Sequence, residues 1–567
     1  MSGKKRKKIS IGVEDFKELI EKDGYFVDKT LMIRDLLESN TKVTLFTRPR
    51  RFGKTLNQFM IRRFVEDERT EQGEKIDNGA LFDGLAICSC GKEILSQQQK
   101  YPVIFLSLKS AKQVNYKLAY TELKKRISEE FKRHIYVADS GVLPEDEERR
   151  FIEIASLVDE DTLYPDSIGF LSRCLFKYHG QNVMILIDEY DVPLENAYFQ
   201  GFYDDMIGFI RALFESALKT NPYLEKGIIT GCLRISRESI FTGLNNLEVN
   251  SVLSPYFSDA FGFNTEEVRK MLEYYSLSDK YPELKQWYDG YLFGKEEIYN
   301  PWSILNYVKN GLADPDAFPK PYWSNTSSNS IIREMIEDAD EETKRDLEVL
   351  MDGGSIEKPV HEDITYGDIH ESKDNLWNFL FFTGYLKAGN KRMEGENLCL
   401  ELSIPNREIK SIYRQSILTW FEKTMKTTDR SPLIRALEEG DCERAAELIS
   451  EQLMRTISYY DYAENYYHGF LTGLLSGTGR YLVESNRESG TGRPDIVLKE
   501  MKFMGKAMVL ELKVADTFRD MEECCREALQ QIASQNYARP LEDDGYRPVL
   551  KYAVCFFKKG CMIRKAE

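Results

Sequence analysis

The strongest chemical signal in the sequence is the segment 47–55, which reads TRPRRFGKT and ends in Gly53, Lys54 and Thr55. In a phosphate-binding loop, backbone N–H groups and the N-terminus of the next helix face the phosphates. A lysine adds a point charge there, and a threonine hydroxyl reaches Mg²⁺. The apolar run 43–46 before the segment predicts a buried strand, and apolar residues at helical spacing after it predict a helix. The segment therefore predicts that the protein binds a nucleotide through Gly53, Lys54 and Thr55.

One position departs from the loop pattern G-x-x-x-x-G-K-[ST], because Arg48 stands where the first glycine is expected. A non-glycine residue at positive φ costs about 1 kcal/mol or more, so this loop either follows another path or omits that turn. We expect Arg48, Arg50 and Arg51 to add phosphate contacts. The alternative is that one or two of them form surface ion pairs.

A second motif lies at 183–189, where the apolar run VMILI is followed by Asp188 and Glu189. A buried parallel strand has this composition, and ligands of open α/β sheets gather at the carboxyl ends of the strands. We expect Asp188 to coordinate Mg²⁺ directly or through water, and Glu189 to orient or deprotonate the attacking water. The alternative is a core strand followed by a solvated acidic turn.

A further strand is predicted at 227–231. The polar residues that follow it are candidates for sensing the γ-phosphate: Arg234, Asn245 and Asn246. Arg234 and Arg237 are also candidates for an arginine that acts across the subunit interface of a homo-oligomer. The sequence leaves open whether ATP is hydrolysed or only bound, since Glu189 suits either geometry.

The composition excludes several classes of protein. Hydrophobic residues make up 42% and charged residues 30% of the 567 positions, which is typical of a soluble globular protein of about three domains. The sequence contains no run of 18 apolar residues and no signal region, so we expect a cytoplasmic protein that spans no membrane. Ten scattered cysteines and five histidines form no zinc-binding pattern. The net charge of −16 argues against a protein that binds nucleic acid over most of its surface, but it allows a local basic groove.

The pattern of elements divides the chain into three regions. Strands and helices alternate over 1–263, including a helix at 116–134, which predicts a mostly parallel sheet of the α/β class. The acidic stretch 143–148 is predicted to be an exposed loop. Region 264–430 is predicted to be mainly helical with aromatic turns, and a winged-helix module is possible within it. A polar, turn-rich stretch at 424–432 is predicted at its boundary with the last region. Region 431–567 begins with connector helices and ends in a small domain.

The small domain carries a second candidate site on its strands. We expect strands at 480–485, 495–498 and 507–512, with Asp495 beginning the second and Glu511 ending the third. Adjacent pairing of these strands would bring the two carboxylates together, and alternation places Lys513 on the same face as Glu511. Two carboxylates make a hard oxygen site for Mg²⁺ or Mn²⁺, and a lysine can position a water and offset charge on a phosphate. This combination is typical of phosphodiester hydrolysis.

The predicted helices beside these strands supply further candidates. Glu464 and His468 are four residues apart on the preceding helix, hence on one face, and Gln531 lies on the following helix. Each could complete the site, although a structural hydrogen bond is an equally good interpretation of His468. The loop 486–493, which ends in Arg493, suits either close approach to a phosphate or an ordinary hairpin connection.

Several motifs together resemble one known family. The segments that carry the resemblance are 25–30, 48–55, 187–191, 299–302, 382–386 and 485–488 together with Asp495. On these segments, which span nearly the whole chain, the sequence resembles the bacterial and archaeal AAA-ATPase-like proteins with a C-terminal PD-(D/E)xK nuclease-superfamily domain. An arginine in place of the first loop glycine belongs to that family's own pattern.

The resemblance implies a P-loop ATPase core, a helical and winged-helix-like middle region, and an αβββαβ domain of the restriction-endonuclease type. It implies metal-binding and catalytic roles for Asp495, Glu511 and Lys513, with Glu464 and Gln531 as auxiliary residues. ATP and Mg²⁺ are the implied ligands, and nucleic acid is the implied substrate of the C-terminal domain.

The leading hypothesis is an ATP-regulated, metal-dependent nuclease acting on DNA or RNA, for which defence against foreign nucleic acid is one conceivable setting. The second hypothesis is a switch-type signalling NTPase whose nuclease fold binds nucleic acid or a partner without cleavage. A third is a nucleic-acid motor, which would require ATP turnover stimulated by nucleic acid.

Overall fold

The structure is a computed structural model of the 567-residue chain. It describes residues 6–219, 221–234, 240–241, 246–323, 330–337, 339–362, 373–427, 429–455, 464–476, 479–485, 494–502 and 504–566. The chain forms two compact units: Met1–Ser327 with Glu357–Lys410, and Ser328–Ile356 with Ser411–Glu567. The division into regions 1–263, 264–430 and 431–567 stays a prediction.

The helices are α1 (Phe16–Glu21), α2 (Leu31–Glu38), α3 (Lys54–Val65), α4 (Lys92–Leu95), α5 (Tyr116–Arg133), α6 (Ile135–Asp139), α7 (Glu145–Ala155), α8 (Ser167–His179), α9 (Val192–Gln200), α10 (Tyr203–Phe214), α11 (Thr265–Tyr275), α12 (Tyr281–Tyr288), α13 (Pro301–Ala313), α14 (Ser330–Glu337), α15 (Glu341–Met351), α16 (Lys373–Phe382), α17 (Arg407–Thr427), α18 (Ser431–Glu439), α19 (Cys442–Arg455), α20 (Glu464–Leu475), α21 (Met521–Ser534) and α22 (Arg539–Asp543). The strands are β1 (Val43–Thr47), β2 (Val103–Ser107), β3 (Val183–Asp188), β4 (Leu224–Gly231), β5 (Leu247–Asn250), β6 (Phe263–Asn264), β7 (Tyr291–Phe293), β8 (Glu296–Tyr299), β9 (Ile356–Pro359), β10 (Lys387–Glu394), β11 (Asn397–Ser403), β12 (Tyr481–Ser485), β13 (Ile496–Glu500), β14 (Ala507–Val514), β15 (Val549–Phe557) and β16 (Gly560–Lys565).

The first unit is built on a five-stranded parallel sheet with the order β2-β3-β4-β1-β5. Strands β1 and β3 are buried along their whole length, as their apolar sequences predict. Strand β4 lies between them, with Thr47 of β1 beside Gly231 and Ile187 of β3 beside Ile229. The loop after β1 and the carboxylates at the end of β3 therefore lie at one edge of the sheet. The predicted parallel α/β core is confirmed.

The rest of the first unit is helical with two small sheets, in the orders β6-β8-β7 and β10-β11-β9. Helix α13 begins at the NPW motif because the Asn300 side chain accepts hydrogen bonds from the N–H groups of Trp302 and Ser303. Helix α16 precedes the β10–β11 hairpin. The winged-helix interpretation of this region stays a prediction.

The second unit contains a five-stranded mixed sheet with the order β12-β13-β14-β15-β16. Strands β12, β13 and β14 are antiparallel neighbours, β15 runs parallel to β14, and β16 adds a final antiparallel strand. A large apolar cluster covers one face, with Leu471 of α20 among Leu510 and Leu512 of β14. Smaller clusters pack α21 against the other face. The predicted αβββαβ order is confirmed and is extended by β16.

Two element predictions are wrong. Of the stretch 143–148, expected to be a loop, residues 145–148 form the first turn of α7, and only 143 and 144 precede the helix; four acidic residues occupy that turn, where negative charge is favourable. The turn-rich stretch expected at 424–432 is helical through Thr427, and α18 begins again at Ser431. Residue 428 lies outside the described part of the chain.

Candidate nucleotide and nuclease sites

The loop between β1 and α3 has the geometry of a phosphate-binding turn. Gly53 precedes the first helical residue and has φ 86°, and Arg51 has φ 70°. A Cβ on Gly53 would meet no atom within 4 Å, so its left-handed conformation, and not crowding, is the reason for glycine there. The loop delivers the chain to the N-terminus of α3 at Lys54, where unpaired backbone N–H groups favour an anion.

Lys54 lies inside this loop and is only 6% exposed. Its Nζ donates to the carbonyl oxygens of Arg48 at 2.8 Å and Pro49 at 3.0 Å, and lies 3.5 Å from Cys232 Sγ. The ammonium is therefore fixed between the phosphate loop and the end of β4.

Asp188 connects the loop to the end of β3. Thr55 Oγ1 donates to Asp188 Oδ2 at 2.8 Å, and the Thr230 hydroxyl donates to Oδ1. Burial, followed by the charge of Glu189, raises the pKa of Asp188 to about 6, against the two hydroxyl contacts, which lower it. Glu189 follows with φ 53°. The structure thus brings Thr55, Asp188 and Glu189 together at one sheet edge.

Arg48 has a different position from the one expected. It is completely buried, and its guanidinium donates to the carbonyl oxygens of Thr47 at 2.9 Å and Asn250 at 2.6 Å. Its Cζ lies 5.3 Å and 5.2 Å from the ring centroids of Phe261 and Phe293, and burial lowers its pKa to about 9. Because these groups hold the guanidinium in the core, we no longer propose Arg48 as a phosphate ligand.

Arg50 and Arg51 have separate partners. Arg50 forms a partly buried ion pair with Glu195 of α9, in agreement with the ion-pair alternative for this residue. The Arg51 guanidinium carbon lies 4.5 Å from the centroid of the Trp302 ring. Both arginines remain candidates for contact with a nucleotide.

The candidate γ-phosphate sensors are only partly described. Arg234 has a nitrogen 3.8 Å from a carboxylate oxygen of Glu362, and Asn246 donates to the carbonyl oxygen of Leu218. Asn245 and Arg237 lie outside the described residues. Asn246 therefore takes part in local packing.

Sequence reasoning missed Thr230 and Asp191. Asp191 is buried, and its Oδ2 accepts hydrogen bonds from the N–H groups of Cys232 at 2.7 Å and Leu233 at 3.1 Å. Burial raises its pKa. The apolar pattern identifies the strand that carries Thr230, but it carries no signal for the pairing of that strand with β3.

The second site lies where β13 and β14 meet. Ile496 pairs with Leu510, so Asp495, one position before β13, lies beside Glu511. Asp495 Oδ2 accepts a hydrogen bond from the N–H of Leu512 at 2.8 Å. The predicted juxtaposition of Asp495 with the end of β14 is therefore present in the structure.

Gln531 of α21 bridges the other two predicted residues. Its Nε2 donates to Glu511 Oε1, and its Oε1 accepts from Lys513 Nζ at 2.9 Å. Glu511 is 2% exposed, whereas Lys513 is partly exposed. The amide thereby holds a carboxylate and an ammonium side by side on one face of the sheet.

The remaining candidates lie on α20 and the loop before β13. His468 Nε2 lies 3.0 Å from the backbone carbonyl oxygen of Asp495 and 3.4 Å from Ser485 Oγ. These contacts agree with the interpretation of His468 as a structural hydrogen-bonding residue. Glu464 is the first residue of α20, but its side chain lies outside the description. The loop 486–493, with Arg493, also lies outside it.

The donor chemistry fits hard cations at both sites. Asp495 and Glu511 offer carboxylate oxygens, as Asp188 does beside the Thr55 hydroxyl, and such oxygens suit Mg²⁺ or Mn²⁺. Among the described side chains, no group of three or more His, Cys, Asp or Glu residues is placed to hold a metal ion. In the same residues, no helix is long and apolar enough to cross a membrane.

Comparison with known proteins agrees with this division into two sites. Residues 10–241 match the family described as Predicted AAA-ATPase, AAA-ATPase-like, and residues 462–566 match the PD-(D/E)XK nuclease superfamily. An uncharacterized protein in the vnfD 5' region of Azotobacter chroococcum mcd 1 is 26% identical over 420 residues, which cover 73% of this chain and 70% of that protein. The chain therefore carries an AAA-ATPase-like domain and a C-terminal domain of the PD-(D/E)XK nuclease superfamily, which confirms the resemblance.

Proposed function

We propose that this protein is an ATP-regulated, metal-dependent nuclease that hydrolyses phosphodiester bonds of DNA or RNA. The observation that supports it most is the arrangement of Asp495, Glu511 and Lys513 with the bridging amide of Gln531. Glu511 is nearly buried and shares its hydrogen-bond partner, Gln531, with Lys513, an arrangement that a surface cluster of charged residues does not need. Burying a carboxylate is energetically costly, and buried charged groups of this kind are typical of functional sites.

The residues of the C-terminal site have distinct proposed roles. Asp495 and Glu511 would hold Mg²⁺ or Mn²⁺, which when bound activates water and neutralises charge on the scissile phosphate. Lys513 places a positive charge where the phosphate approaches and orients the attacking water. Gln531 restrains both Glu511 and Lys513, and the N–H of Leu512 orients Asp495. Glu464 is proposed as an auxiliary acidic residue.

The residues of the N-terminal site would bind ATP. Gly53 and Lys54 would contact the phosphates, Thr55 and Asp188 would hold the Mg²⁺ that accompanies the nucleotide, and Glu189 would orient the water for hydrolysis. Arg50 and Arg51 would add charge at the loop.

Regulation of cleavage by ATP is part of this proposal because one chain carries both an AAA-ATPase-like domain and a PD-(D/E)XK nuclease-superfamily domain.

Two variants of the full chain test the proposal and separate its parts. Lys54→Ala is expected to lose ATP binding and the effect of ATP on cleavage, whereas Lys513→Ala is expected to lose cleavage and keep ATP binding. Both activities are measured on each variant with Mg²⁺. Cleavage that persists in Lys513→Ala would remove that lysine from its role. ATP binding without cleavage of any DNA or RNA by the unsubstituted protein would favour a switch-type NTPase.

A further inference from the structure

The aromatic NPW motif at the start of α13 contacts the phosphate loop, although it is distant in sequence. The Arg51 guanidinium lies 4.5 Å from the Trp302 ring centroid. The next residue of the loop also contacts this part of the chain: the Phe52 ring centroid lies 5.0 Å from that of Tyr291 and 5.2 Å from that of Phe293. Aromatic residues of the segment 291–302 therefore contact the phosphate loop at Arg51 and Phe52.

Arg51 has unused capacity to bind an anion. Its backbone has φ 70°, an uncommon conformation for a residue with a side chain, and the residue is exposed. Among the described residues, its guanidinium makes no hydrogen bond or ion pair, in contrast to Arg48 and Arg50. The five N–H donors of a guanidinium lie in its plane, so an aromatic ring on one face leaves them available.

Trp302 is itself held in a defined position. Its Nε1 donates to the carbonyl oxygen of Tyr322 at 3.2 Å, and its backbone N–H donates to Asn300 Oδ1 at 2.9 Å. Ser303, the next residue, donates to buried Glu408. Because one hydrogen bond holds the ring and two others hold the backbone and the next residue, the ring can restrict the cation that lies on it.

We propose that Trp302 is a positioning residue of the nucleotide site, which holds Arg51 by a cation–π contact so that its N–H groups face the phosphates of ATP. This inference rests on the proposed ATP site. The stacked guanidinium loses less conformational freedom when it binds phosphate than a free side chain would, and this favours binding. The binding energy that Trp302 contributes is therefore expected only when Arg51 is present.

A double-mutant cycle on the full chain tests this dependence. The affinity for ATP with Mg²⁺ is measured by isothermal titration calorimetry for the unsubstituted protein, Trp302→Leu, Arg51→Ala and the double variant. Trp302→Leu is expected to weaken binding about fivefold, in line with one cation–π contact, and to have no further effect when Arg51 is already alanine. Trp302→Tyr should keep most of the affinity because it keeps an aromatic face.

The controls distinguish positioning from structural support. Tyr281→Leu removes a ring from a similar contact, 4.3 Å from Arg269 on α11 and α12, and should leave ATP affinity unchanged. If Trp302→Leu does not fold, Trp302→Phe tests the same dependence with a weaker cation–π face and an expected effect of about twofold. Equal weakening with and without Arg51, or no weakening at all, would overturn the inference. Failure of the unsubstituted protein to bind ATP would refute the proposed site itself.

Discussion

Glu408 should make the stability of the first unit depend on pH. It is 1% exposed and lies in the first turn of α17, where one oxygen accepts from Ser303 Oγ and the other from the N–H of Trp323. Burial raises its pKa from 4.5 to about 7, and the hydrogen bonds oppose the shift only in part. In the folded protein, the protonated form is therefore favoured over a range where the unfolded chain is ionised.

The direction and size of the change in the free energy of unfolding with pH follow from this pKa shift. Below the unfolded pKa, the carboxyl is protonated in both states and its full contribution to stability is present. As the pH rises from about 4.5 to about 7, the unfolded state loses its proton first, so the free energy of unfolding falls. The loss approaches about 3 kcal/mol, since one pKa unit corresponds to about 1.4 kcal/mol, and it is complete above the folded pKa.

Thermal unfolding of the full chain and of Glu408→Gln between pH 5 and 8 measures this contribution. Gln is similar in shape but does not ionise, so the variant should gain stability relative to the unsubstituted protein as the pH rises to about 7. The matched control is Glu396→Gln, which removes an exposed carboxylate in the β10–β11 turn and should give a constant difference. A difference for Glu408→Gln that does not change with pH would refute the reasoning.

Three further substitutions test the two sites. Gln531→Leu removes the bridge between Glu511 and Lys513 and should reduce the rate of cleavage about 10- to 100-fold without changing ATP affinity. A cleavage rate equal to that of the unsubstituted protein would exclude a positioning role for Gln531. Gly384 has φ 90°, and Gly384→Ala would place a Cβ 2.9 Å from Pro49 of the phosphate loop. It should lower the free energy of unfolding by about 1–3 kcal/mol, as measured by thermal unfolding, and by more than the control Gly395→Ala, whose Cβ meets open space. Thr230→Val removes a hydrogen-bond donor to the carboxylate of Asp188, which raises the pKa of Asp188. The acid limb of the pH profile of kcat/KM for ATP turnover should therefore move to higher pH, and an acid limb that does not move would exclude the contact.

The sequence predicts the main elements well where one physical signal dominates. The apolar runs before Lys54 and Asp188 correspond to buried strands, and the alternation around Glu511 and Lys513 places both on one face. These predictions succeed because burial and strand periodicity are local properties of the chain.

Predictions that depend on long-range packing are less successful. Arg48 is charged and stands in a basic loop, so its position in the core depends on carbonyl oxygens and rings that are distant in sequence, such as those of Asn250 and Phe293. The acidic start of α7 resembles a loop in the sequence, because the apolar face of the helix becomes evident only from Phe151 onwards. The contact of Trp302 with Arg51 likewise depends on tertiary packing.

The central claim is tested most directly by a cleavage assay. The protein is incubated with labelled single- and double-stranded DNA and RNA, with Mg²⁺, Mn²⁺ or EDTA. Lys513→Ala is tested beside the control Lys499→Ala, which removes a lysine on β13 that pairs with Glu484 on β12. We predict cleavage of at least one substrate that requires the metal and Lys513 but not Lys499. Cleavage that is unchanged in Lys513→Ala, or the absence of cleavage from every substrate by a protein that still binds ATP, would contradict the proposed nuclease.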